Sequence, residues 1–209
     1  MKDKLFIIAT HNQKKLAEIA RILAPLGIRA VTDKELGITL PEVEETGQTF
    51  LENARLKAQA ACRFSGYPAI ADDSGLMVDA LDGAPGVYSA RYSGEGATDE
   101  KNNQKLLREL QDIPAENRGA QFVCAICCVF PNGDELTAEG ICRGQIGFEP
   151  QGSGGFGYDP LFLYNGLSFG ELPPDQKDAV SHRGQALKAL QQALQTYYQK
   201  SEETKDVDK

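Results

Sequence analysis

The chain has 209 residues, with 22 Lys+Arg against 30 Asp+Glu and a net charge of −8. A hydrophobic share of 41% and a charged share of 25% can build a packed core and exclude global disorder. The acidic total excludes a general nucleic-acid binder, which needs a basic face.

Leu5–Ala9 reads as a buried strand. Although it follows Lys2 and Lys4, it is too short for a secretory h-region, so the expected location is cytoplasmic. Leu16, Ile19, Ala20 and Leu23 recur at helical spacing, and that helix should stop near Pro25–Gly27. Ile28–Thr32 is the next expected strand. Thr49-x-x-Glu52 is a capping box that opens a helix to about Phe64, with Ala54, Ala58 and Ala61 on its inward side. Ala69–Asp72 and Leu76–Asp79 read as short strands around a Ser-Gly turn. Thr98 or Asp99 caps a helix bearing Leu106, Leu107 and Leu110.

Gln121–Phe130 and Glu135–Cys142 flank Pro131-Asn132-Gly133-Asp134, a hairpin turn in which Asn-Gly accepts positive φ. The longest nearly unbroken apolar run lies here, Phe122–Phe130, against the roughly 20 residues a membrane helix needs, so no membrane partner is expected. The glycine-rich stretch 144–170 reads as a long shaped loop. Ser181 opens a last helix with Leu187, Leu190 and Leu194 on one face, and 200–209 should fray. The expectation is one two-lobed domain over 1–199, followed by a charged tail over 200–209. Hairpin and βα signals together give an α/β class with a mixed sheet. The five cysteines, Cys62, Cys124, Cys127, Cys128 and Cys142, are odd in number. They read as reduced, buried packing residues, because Cys124-x-x-Cys127 has no second pair.

Four stretches carry chemistry. Thr10-His11-Asn12-Gln13-Lys14-Lys15 lies between a strand and a helix, where unpaired N–H groups attract anions. Asn12 suits an N-cap, and Lys14 and Lys15 oppose the helix dipole unless an anion docks there. Two solvated lysines explain the pattern equally well. Asp72-Asp73 sits at a strand end near the acidic run Glu42–Glu45. Adjacent carboxylates repel unless one is protonated or a cation intervenes, and an all-oxygen set suits Mg²⁺. A capped turn is the plainer alternative. Gly152-Ser153-Gly154-Gly155-Phe156-Gly157-Tyr158-Asp159-Pro160 contains G-x-G-x-x-G, but no helix should follow Asp159-Pro160, which rules out a dinucleotide fingerprint. Phe156 and Tyr158 suit stacking on a planar base, or else anchor a loop to the core. Lys177 and Ser181-His182-Arg183 form a donor-rich group fit for a phosphate or a base carbonyl, or merely a capped helix start.

Together these stretches resemble the inosine/xanthosine triphosphate pyrophosphatase family. The matching residues are Thr10-x-Asn12-x-x-Lys15, Glu44–Gly47 with Thr49-Phe50-x-Glu52-Asn53-Ala54, and Ala71–Leu76. Gly83–Tyr92, Gly155–Pro160 and Ser181–Gly184 continue the match, which runs in order from Leu5 to about Leu194. The resemblance implies an elongated α/β fold of two lobes, a central twisted mixed sheet with the active-site cleft between the lobes, and a homodimer. It implies Mg²⁺-dependent hydrolysis of ITP, dITP or XTP to a nucleoside monophosphate and pyrophosphate. By the same resemblance Thr10, Asn12 and Lys15 hold phosphates, with Lys57 close by. Glu44 and Asp73 bind Mg²⁺, and Asp73 deprotonates water. Ser74, Phe156, Gly157, Tyr158, Asp159, Lys177, His182 and Arg183 contact substrate. His11 departs from the glycine common in the family, and Gln13 and Lys14 complete that substrate-facing stretch. Strand alternation favours Asp73 as the base and leaves Asp72 as a second ligand or a positioning group. A non-catalytic nucleotide sensor is the alternative from another class, though it has no need for crowded carboxylates.

Overall fold

The structure is a computed structural model that describes residues 5–26 and 28–207. The readings that fell on Lys2, Lys4, Gly27 and the last two residues lie outside the described residues. The strands are β1 (Leu5–Ile8), β2 (Arg29–Val31), β3 (Ala69–Val78), β4 (Gly119–Val129), β5 (Glu135–Ile146), β6 (Phe162–Tyr164) and β7 (Leu167–Ser168). The α-helices are α1 (Gln13–Leu23), α2 (Phe50–Ser65), α3 (Asp99–Glu109), α4 (Pro174–Val180) and α5 (His182–Val207). One sheet runs in the order β2-β1-β3-β4-β5-β6-β7. The pairs β1–β2 and β1–β3 are parallel, whereas β5–β6 and β6–β7 are antiparallel, so the sheet is mixed.

Contacts divide the chain into two compact units. The first comprises the chain up to Asp73, Ala125–Gly140 and the chain from Gly184 onward; the second comprises Ser74–Cys124 and Ile141–Arg183. In the first unit, Ala54, Ala58 and Ala61 of α2 are 0–2% exposed and join Ile7, Ala69, Ala71 and Cys127 in one core. Short side chains at i, i+4 and i+7 let this helix lie close to its strands. Both arms of the expected capping box form at its start. In the second unit, the rings of Phe122, Phe162 and Phe169 pack with centroids 4.6–5.9 Å apart, beside Leu76, Leu106 and Tyr158. Each fully buried ring contributes roughly 1.5–3 kcal/mol relative to exposure.

Three local expectations are corrected, and one helix lies where none was expected. Ala69–Val78 is one continuous strand, with no Ser-Gly turn. A position between β1 and β4 supplies ladder partners on both edges, which outweighs the local turn preference of Ser74-Gly75. The 144–170 loop is interrupted by β6 and β7, and β5 runs on to Ile146. The helix α4 occupies a stretch for which no element was expected; Pro174 is tolerated at its start, where its missing N–H has no partner to lose. Finally, α5 continues to Val207, so the segment expected to fray is helical that far. All five cysteines are free and buried, and no disulfide joins them. Among the described residues, no helix is long and apolar enough to cross a membrane.

Candidate active site

The first unit gathers the charged residues. Asn12 caps α1 as expected: its Oδ1 accepts from the backbone N–H of Lys14 at 3.0 Å and of Lys15 at 3.2 Å. Thr10 Oγ1 accepts from the Asn12 N–H, so the whole turn is fixed by its own side chains. His11, Gln13 and Lys14 are exposed on this turn. Lys15 alone turns inward, and its Nζ lies 3.2 Å from Asp72 Oδ2.

Asp72 and Asp73 have different partners, as alternation along β3 demands. The Asp72 side chain is fully buried against Lys15, whereas the Asp73 side chain keeps 9% exposure. Asp73 Oδ1 stands 3.7 Å from Lys57 Nζ, and Asp73 Oδ2 accepts from Asn53 Nδ2 at 3.2 Å. Lys57 in turn donates to Glu45 Oε1 at 2.7 Å. Three carboxylates, Asp72, Asp73 and Glu45, thus face two ammonium groups.

Burial pushes the Asp73 carboxyl above the ordinary aspartate range. Lys57 and Lys15 pull it back only partly, and Glu45 adds to the rise. Burial also works against the Lys57 ammonium, but Asp73, Asp72 and Glu45 outweigh it and hold its pKa above the usual lysine value. Glu44 is exposed on the same loop; Glu45 is the carboxylate that reaches Lys57. The donors are all hard oxygens, a chemistry that fits Mg²⁺ rather than zinc. Among the described residues, no three carboxylate, histidine or cysteine side chains converge as a ready-made metal cluster.

The second unit gathers a different set. Asp159 Oδ2 accepts from Lys177 Nζ at 2.7 Å and from the Phe156 N–H at 2.8 Å. Both partners of that ion pair are at most 5% exposed. Lys177 Nζ sits 5.0 Å from the half-buried Phe156 ring, and the Arg183 guanidinium 5.8 Å from it. Arg183 also donates to Ser74 Oγ at 2.8 Å. His182 stacks on Phe122 at 4.7 Å with the planes 13° apart.

Of the two aromatics read as stacking platforms, Tyr158 is a core residue, 3% exposed, with its hydroxyl donated to the Ser89 carbonyl. Phe156 is the less buried of the two, with Lys177 and Arg183 near its ring. Gly155 has φ +72°, and a side chain there would collide with the Asp159 carboxylate, so the turn needs glycine. No helix opens after this stretch, in keeping with rejection of the dinucleotide reading.

Three residues of these clusters have no site role in the sequence reading, although Asp99 is named there as a possible cap and Asn53 within a matching stretch. Asp99 Oδ2 accepts the Gly157 N–H at 2.9 Å, and Asn103 Nδ2 donates to the Gly157 carbonyl at 3.0 Å, so α3 grips the glycine loop from both sides. Asn53 is the third, and reaches Asp73 across 20 residues of chain. Asn103 and Asn53 had a legible signal: an asparagine on the inward side of an amphipathic helix must find buried partners.

The model of the Ham1 family matches residues 6–193. A dITP/XTP pyrophosphatase from Geobacter sulfurreducens is 53% identical over 190 residues, covering 90% of this chain and 95% of that protein. Another from Exiguobacterium sibiricum is 51% identical over 195 residues, covering 91% of this chain and 97% of that protein. Among solved structures, a HAM1 protein from Coxiella burnetii superposes with a TM-score of 0.82 at 42% identity, covering 92% of this chain and 99% of that one.

Proposed function

The chain belongs to the Ham1 family, and on that premise we propose that it is a nucleoside triphosphate pyrophosphatase acting on the non-standard purine nucleotides dITP, ITP and XTP. The reaction adds water across the α–β phosphate bond and yields a nucleoside monophosphate and pyrophosphate. The observation that carries this reading is Asp73: a buried carboxylate at 6% exposure, with its pKa held up by burial and two lysines at hand. A base poised above the ordinary aspartate range takes a proton from water more readily near neutral pH.

In this reading Asp73 accepts the proton as water oxygen bonds to the α-phosphorus and the bond to the bridging oxygen breaks. Lys15 and Lys57 offset the charge of the phosphate chain, which a water-poor site must neutralise. Lys15 is already beside Asp72, so a phosphate oxygen shares that ammonium rather than finding it bare. Asp73 and Glu44 would hold Mg²⁺, with Asp72 positioning Lys15; the ion would supply further neutralisation at the phosphates. Phe156 stacks on the purine, His182, Arg183 and Ser74 address its polar edge, and the Lys177–Asp159 pair holds the loop that presents Phe156. A homodimer and a cytoplasmic location complete the proposal.

Base choice follows from donor chemistry. Hypoxanthine and xanthine present a carbonyl at C6, adenine an amino group. Donors aimed at position 6 are satisfied by the first pattern and stranded by the second, at about 1–3 kcal/mol each. Arg183→Ala should therefore narrow the margin of ITP over ATP. The direct test is pyrophosphate release from a panel of ITP, dITP, XTP, GTP and ATP, with Mg²⁺ and with chelator. Release from the first three, dependent on the metal, supports the reading; tight binding without release would mark a sensor instead.

A further inference from the structure

We propose that Asn53 is the positioning residue of this site, a single carboxamide that ties the Glu44–Gly47 loop to the Asp73 carboxylate. The proposal rests on reading Asp73 as the base. Asn53 lies on α2 and is 0% exposed. Its Oδ1 accepts the Gly47 N–H at 2.7 Å, and its Nδ2 donates to Asp73 Oδ2 at 3.2 Å. A backbone N–H can only donate, so the atom facing Gly47 must be the oxygen. The amide nitrogen is thereby turned toward Asp73, and the two ends cannot be exchanged.

The loop is built around this contact. A Cβ at Gly47 would lie 2.6 Å from Asn53 Oδ1 and 2.7 Å from the Glu52 Cβ, so only glycine lets the loop come this close. Glu52 Oε2 takes the neighbouring N–H groups of Gln48 and Thr49, at 2.7 and 3.2 Å. Glu52 therefore fastens the loop to its own helix, whereas Asn53 carries the connection onward to β3 by direct hydrogen bonds, beside the Glu45–Lys57–Asp73 chain of charges. With Oδ2 held by Asn53, Asp73 Oδ1 is the oxygen left beside Lys57. Fixing the plane of a base removes reorientation from the barrier, and misplacement by about 1 Å can cost about 100-fold in rate.

Two substitutions separate the ends of the carboxamide. Asn53→Asp keeps an oxygen for Gly47 but presents a second oxygen, not a donor, to Asp73; Asn53→Ala removes both contacts. We expect Asn53→Asp to lower kcat roughly 10- to 100-fold with KM little changed, while hydrogen exchange at the Gly47 amide stays protected. Asn53→Ala should lower kcat comparably and lose that protection. Combined with Asp73→Asn, Asn53→Ala should cost little further, because the carboxylate it orients is gone. An Asn53→Asp enzyme with near-wild-type kcat overturns the proposal, leaving Asn53 a loop anchor. Equal cost of Asn53→Ala in both backgrounds overturns it as well, as a plain loss of stability. If the alanine variant does not fold, the isosteric Asn53→Asp decides alone. The two readings fail separately. A fully active Asp73→Asn enzyme overturns the base and the positioning role together; an inactive one beside an active Asn53→Asp overturns only the positioning role.

Discussion

The two units hold their charges in opposite ways. In the first, Lys15, Lys57 and Glu45 keep 15%, 17% and 28% of their side-chain surface, and carboxylates outnumber the lysines they face. In the second, Lys177 and Asp159 pair at 5% and 4%, with a further acceptor bond on Asp159 Oδ2 taken by the Phe156 N–H. An unbalanced, partly wet cluster can trade partners when a polyanion or a cation arrives. A sealed, balanced pair cannot, because breaking it strands a buried charge. The first cluster is therefore built to rearrange, and the second to hold a loop in shape.

The largest expected effect sharpens the first half of that contrast. Asp73→Asn should lower pyrophosphate release by about 10²–10⁴ while the protein stays folded, since an amide accepts no proton. Because burial disfavours the charge at this position, the variant should melt no lower than wild type near neutral pH. Turnover within a few-fold of wild type would remove Asp73 from the mechanism.

Breaking the sealed pair should instead strike the fold. Lys177→Met leaves Asp159 buried without its cation and should cost about 3–5 kcal/mol in urea denaturation. A loss below about 1 kcal/mol, the range of exposed pairs, would show that the pair is not sealed in solution.

Lys15→Ala draws the same line at smaller scale. Removing one charge-assisted contact should weaken triphosphate binding by roughly 1.5–3 kcal/mol in calorimetry, and weaken monophosphate binding less. Equal losses for the two ligands would assign Lys15 to the scaffold through Asp72.

The smallest effect concerns the cores, where the units should behave alike. Burial pushes the Cys142 thiol from its ordinary 9.0 up to about 11, and burial with Glu135 pushes Cys127 up to about 12. Above pH 9 the unfolded chain loses these protons while the native protein keeps them. Stability is therefore full below pH 9 and falls as pH rises toward 11, by at most about 1.4 kcal/mol per pH unit for each thiol. Urea midpoints between pH 8 and 10.5 measure the slope, and Cys142→Ala should flatten it.

What could be read ahead of the structure was local. Asn12 as a cap, the Thr49–Glu52 box, the alanine side of α2 and the Asn-Gly hairpin each depend on groups within about four residues, where spacing alone decides what meets what. The chemical residue types were legible for the same reason: crowded acids, lysines at a helix start and a glycine loop conflict with their local surroundings unless something else answers them. What the tertiary structure decided was partnership. It matched Lys15 with Asp72 and Lys57 with Asp73, sent Tyr158 to the core and left Phe156 half-buried, and turned Glu45 rather than Glu44 toward Lys57. It also joined Asn53 to Asp73 over 20 residues and Arg183 to Ser74 over 109. Such bonds form only because sheet register and helix packing bring distant segments within about 3 Å, where a hydrogen bond is felt at all.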